Sequence, residues 1–157
     1  MEKISSLKTS LLFIMLAIGF LCLSLWHTSF LTNWNPLGSI FLFFFCLFIF
    51  YIFNYHTLII HITASYLHLR FGIFTCKMLI NSIKEVQLDK IPTFMKYGGA
   101  GIHFMFVKKR YRASYNFLEY PRICVSLKKR KGLVEDVSFS TRDPKKIMRT
   151  LNKLMKI

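Results

Sequence analysis

Two kinds of hydrophobic patterning divide the chain. Residues 11–30 carry no formal charge and are dominated by Leu, Ile and Phe. At 1.5 Å per residue, a helix of that length crosses a hydrocarbon layer of about 30 Å. A second uncharged run covers residues 37–53 and continues towards Tyr55, long enough to span with some tilt or local thinning. Only Thr32, Asn33, Trp34, Asn35 and Pro36 separate the two runs, so the pattern predicts an antiparallel helical hairpin over residues 1–56, with helices near 11–30 and 37–55. Trp26 and Trp34 near the turn, and Tyr51 and Tyr55 at the other end, fit interfacial aromatic belts. A cleaved signal peptide explains the first run less well, because the run exceeds a typical h-region and no small-x-small cleavage site follows.

After Tyr55 the period shortens to stretches of Ile, Val, Phe, Tyr and Thr, broken by turn residues. This spacing predicts antiparallel strands near 58–63, 66–71, 76–80, 83–88, 101–107, 111–116, 123–127 and 134–139. Ala64-Ser65 and Lys131-Gly132 are placed as hairpin turns, and Gly98-Gly99-Ala100-Gly101 as a loop or bulge. The chain then turns helical. Asp143 is the expected N-cap and Pro144 the first helical residue. Ile147, Met148, Leu151, Leu154 and Met155 fall on one stripe, suited to cover a sheet or the open end of a barrel, and Lys146, Arg149, Lys153 and Lys156 on the other.

Charge sharpens the division. The chain has 22 Lys and Arg against 7 Asp and Glu, yet before residue 61 the charged residues are Lys3, Lys8 and Glu2 alone. A membrane piece joined to a basic piece is the expected organisation. The hairpin turn has no Lys or Arg while both flanks do, which by the positive-inside rule places both termini in the cytoplasm of a two-pass protein of the inner or plasma membrane. Cys22, Cys46, Cys76 and Cys124 are then expected as reduced thiols.

Strands followed by one amphipathic helix is also the order of a pleckstrin-homology-like (PH-like) domain. Tyr97-Gly98-Gly99-Ala100-Gly101-Ile102-His103, Ala113-Ser114-Tyr115-Asn116, Ile123-Cys124-Val125-Ser126-Leu127, and Ser140-Thr141-Arg142-Asp143-Pro144 leading to Leu151 and Leu154 resemble small bacterial membrane proteins with two transmembrane helices and a PH-like domain. The resemblance covers most of the chain and departs at His103, where an arginine is expected, and in the bulky stretch 117–121. It implies a membrane hairpin (1–56) carrying a mainly-β cytosolic domain (57–157), a PH-like sandwich or barrel closed by its C-terminal helix.

The chemistry present is basic. His27, His56, His61, His68 and His103 are scattered, with no His-Glu-x-x-His pattern and no cysteine pair at metal spacing, so neither a metal nor another cofactor is expected. No Gly-x-Ser-x-Gly elbow occurs and acids are few, which argues against an enzyme. The glycine cluster lacks the Gly-Lys-Ser/Thr of a phosphate loop. The clusters that remain are Lys108, Lys109, Arg110 and Arg112; Lys128, Lys129, Arg130 and Lys131; and Lys146, Arg149 and Lys153 on the helix. Their expected role is contact with anionic phospholipid headgroups; the bland alternative is a solvated face that only sets topology. Nucleic acid is disfavoured by the membrane anchor, although tyrosines lie among the cations. Two further readings stand: a ligand-gated effector that senses a nucleotide second messenger in a concave, Arg- and Tyr-lined site, and a subunit or homo-oligomer that binds protein through an apolar patch.

Overall fold

The computed structural model describes residues 1–29, 36–89, 101–117 and 119–156. The expected hairpin turn at 32–35 with Trp34, the glycine run from 97 to 100, and Leu118 lie outside the described residues. The chain divides into two compact units, Ser6–His56 and Met1–Ser5 with Thr57–Ile157.

The first unit is two helices, α1 (Leu7–Ser29) and α2 (Pro36–Tyr55), both long and apolar enough to cross a membrane. α1 starts earlier than its uncharged run because Ser6 caps it: the Ser6 hydroxyl accepts the Thr9 N–H at 3.1 Å. The helices run antiparallel. Phe13 packs on Phe48 and Tyr51, Phe20 on Phe41, Phe44 and Phe48, and His27 on Phe41. Ser24 donates to the Gly38 carbonyl at 3.0 Å across the helix pair. At the other end the Ser10 hydroxyl and His56 Nδ1 share a hydrogen bond of 2.9 Å.

The second unit is two layers of sheet and a helix. Sheet 1 is an antiparallel run of β1 (Glu2–Ser5), β2 (Thr57–Ile62), β3 (Tyr66–Phe71) and β4 (Phe74–Leu79). After a short 3-10 turn at Ile80–Ser82 come β5 (Ile83–Leu88), β6 (Gly101–Val107), β7 (Arg110–Asn116), β8 (Arg122–Lys131), β9 (Val134–Ser140) and α3 (Pro144–Met155). Sheet 2 has the order β5-β8-β9-β7-β6. The β8–β9 hairpin thus lies between β5 and the β6–β7 hairpin, which makes the β7–β9 pair parallel where all-antiparallel pairing was expected. The first five residues, expected with the helices, supply β1 to sheet 1. Among the described residues the two sheets share no strand pairing, so they form layers and not the closed barrel that was one of the two expected forms.

The core lies between the layers. Alternation turns Leu58, Ile60, Leu67, Leu69 and Phe71 of sheet 1 inward, together with Ile123, Val125, Val137 and Phe139 of sheet 2. Phe71 stacks on Tyr115 at 6.4 Å and meets Phe117 edge-on at 5.1 Å. α3 begins as its sequence predicts, with the Asp143 carboxylate accepting the Lys146 N–H at 3.0 Å. It lies against β5, the 3-10 turn and β8, burying Ile147 and Leu151.

Candidate functional site

The basic residues singled out by sequence separate into three groups. Lys108 and Lys109 form the two-residue turn between β6 and β7, closed by the Val107–Arg110 pair, with φ of 50° and 64°. Positive φ at both positions is the signature of a type I′ turn. Lys128, Lys129, Arg130 and Lys131 are exposed on the outer half of β8. Lys131 pairs with Val134 across the turn at Gly132-Leu133, where Gly132 has φ 60°. The two turns meet: Phe106, Lys109 and Tyr111 on one side and Arg130, Leu133 and Glu135 on the other line a cleft of about 290 Å³. Lys129 and Lys131 face a second groove of about 430 Å³, and the Lys131 ammonium donates to the Lys77 carbonyl there. Lys146, Arg149 and Lys153 are exposed on α3 and line neither cleft.

Arg110 and Arg112 belong elsewhere. Both lie on the other face of sheet 2 from the core, and that face is polar yet largely buried. Arg112 is 6% exposed, holding Asp89 at 3.0 Å and Asp136 at 3.4 Å. Arg110, half-buried, holds Asp136 at 2.8 Å, and Arg122 approaches Asp89 at 3.5 Å. Glu135 links Arg110 to Arg130, so an ion-pair chain runs from the hairpin tip into the sheet. Arg112, expected on a headgroup-binding face, is therefore committed internally: it bridges two buried carboxylates, each of which keeps a second arginine, Asp136 through Arg110 and Asp89 through Arg122. The Asp136 hydrogen bond holds the Arg110 pKa above its ordinary value, whereas burial lowers that of Arg122, against the opposing pull of Asp89.

Beside this chain lies a cavity of about 470 Å³, lined by Lys108, Arg110, Arg112, Glu85, Asp89 and Asp136 among others. It is concave and arginine-lined, as a nucleotide sensor requires, but among the described residues no tyrosine lines it, and carboxylates sit among its cations. Among the described residues no group of three His, Cys, Asp or Glu is placed to hold a metal ion.

Sequence reasoning missed an aromatic cluster. Phe104 stacks on Tyr111 at 5.9 Å, and Phe106 lies 4.9 Å from the same ring. Phe104 is 59% exposed, Phe106 74% and Leu133 76%. The alternation of β6 put Phe104 and Phe106 on one face; only the strand order shows that this face lies at a sheet edge, where the core does not cover it. Comparison with protein-family models, with curated proteins and with solved structures finds no match.

Proposed function

We propose that this chain is a two-pass membrane protein that presents a basic, PH-like module to anionic phospholipid headgroups at the cytoplasmic face, with both termini on that side and without catalysis of its own. Two sheets and a C-terminal helix support the PH-like reading, and two apolar helices joined to strands through the single residues Ser6 and His56 support the anchoring. The carrying observation is the meeting of two basic turns at one end of sheet 2, Lys108 and Lys109 beside Arg130, with Lys128, Lys129 and Lys131 on the same hairpin. Each such cation near an anionic surface contributes about 1 kcal/mol. A doubly tethered module meets that surface at high effective concentration, so these contacts orient the module more than they recruit it.

The test is amine-reactive labelling of the full chain in nanodiscs, mapped by mass spectrometry. Lys108, Lys109, Lys128, Lys129 and Lys131 are expected to react more slowly in discs containing phosphatidylglycerol than in pure phosphatidylcholine, with Lys145 as the internal reference. Equal rates in the two discs would sink the headgroup reading.

A further inference from the structure

We infer that the hairpin tips carry a hydrocarbon-inserting wedge, formed by Phe104, Phe106 and Leu133, whose occupant is the acyl-chain region of an anionic bilayer. The inference deepens the headgroup reading and rests on it.

The wedge is built by the fold. Among the described strands β6 is the outermost of sheet 2, and in its register with β7, Phe106 opposes Tyr111, Phe104 opposes Ala113 and Ile102 opposes Tyr115. All six side chains share the face that forms the core. Ala113 and Tyr115 are buried, whereas Phe104 and Phe106 are exposed and pack against the Tyr111 ring. Leu133 reaches the same cleft from the β8–β9 turn, where Gly132 takes the left-handed position and leaves Leu133 outermost. Exposed singly, such side chains need no explanation; clustered, they mark a docking surface.

The surrounding charge selects the occupant. Lys109 and Arg130 line the cleft itself, Lys108 shares the β6–β7 turn with Lys109, and Lys128, Lys129 and Lys131 lie on the outer half of β8, Lys129 and Lys131 on the neighbouring groove. Glu135 is the carboxylate in the cleft, and Arg110 and Arg130 already hold it. An apolar centre in a rim of cations complements acyl chains beneath anionic headgroups. Long lysine and arginine stems allow both contacts at once, with the ammonium or guanidinium at headgroup depth and the rings below it. A basic turn that keeps two lysines at positive φ fits the same use, because the neutral Asn-Gly turn would be less strained and would remove both charges.

The experiment places photoreactive benzoylphenylalanine at 106, at 133 and, as a control, at Asn152, which is exposed on α3. The full chain is irradiated in phosphatidylglycerol-containing nanodiscs and adducts are identified by mass spectrometry. Lipid adducts are expected at 106 and 133 and not at 152. Separately, Phe106→Ser with Leu133→Ser is expected to keep lysine protection at low salt and lose it at high salt, where screening removes the electrostatic part. Absence of lipid adducts at 106 and 133 while lysine protection persists would overturn the wedge and leave the headgroup reading standing. Adducts to a second copy of the chain would overturn it in favour of self-association, and equal adducts at 152 would overturn it as indiscriminate contact.

Discussion

Cys124 shows how one side chain takes its chemistry from its surroundings. It lies between Arg122 and Ser126 on β8, on the polar face of sheet 2, and it is buried. Burial pushes its thiol up from 9.0 to about 12, against the opposing pull of Arg112. A thiol raised in the folded state holds its proton where the unfolded chain has lost it. Its contribution to stability is therefore fully present below about pH 9 and is lost as pH rises towards about 12. Cys124→Ala is expected to flatten the decline of the thermal midpoint across that window, and iodoacetamide at pH 8 is expected to modify Cys124 only after unfolding. Modification in the folded chain at pH 8 would contradict the burial. The neighbouring arginines carry a related lesson. Period-two alternation put Arg110 and Arg112 on one face, but Asp89 and Asp136, the carboxylates that claim them, lie more than twenty residues away, so the run Lys108-Lys109-Arg110-Tyr111-Arg112 read as one basic cluster.

At the scale of elements, the turns separate backbone cost from side-chain cost. Lys108 and Lys109 occupy left-handed conformations that lysine disfavours. Replacing them by Asn and Gly is expected to stabilise the chain by about 1 kcal/mol while removing two charges from the tip. Gly132 gives the converse. A Cβ there would meet nothing within 4 Å, yet Gly132→Ala is expected to cost about 1 kcal/mol through its φ of 60° alone. Unfolding of the two variants in detergent measures both, and a neutral Gly132→Ala would refute the assigned turn. Strands at 66–71, 83–88 and 101–107 were legible from alternation and have those bounds. β8 was expected to end at Leu127 and runs to Lys131: four consecutive cations show no apolar period, and the ladder to β9 shifts register after Ser126 before pairing resumes at Lys131.

For the molecule as a whole, the N-terminal strand is the unexpected part. β1 precedes the first apolar helix, and its four residues are too few for alternation to register. Its Ile4 is nonetheless wholly buried. The Glu2 carboxylate accepts the Thr141 hydroxyl and the Arg142 N–H, each at 2.8 Å, and the Tyr120 hydroxyl donates to the Ser5 carbonyl at 3.1 Å. Ile4→Ala is expected to cost about 2–5 kcal/mol, read as a lowered thermal midpoint of the full chain in detergent. No change would mean that sheet 1 is stable without its first strand.

Local physics was written in the order of the residues: two uncharged runs of helical length, the alternation of most strands, the Asp143-Pro144 helix start, and the surplus of cations after residue 60. Each depends on neighbours a few positions apart. The insertion of the β8–β9 hairpin between β5 and β7, the capture of Arg110 and Arg112 by distant carboxylates, and the emergence of Phe104 and Phe106 at a sheet edge depend on which strands lie side by side. Strand order is set by the joint burial of two layers, a property of the assembled core that no short stretch of sequence carries. It is also what turned a list of basic residues into one apolar tip with a cationic rim.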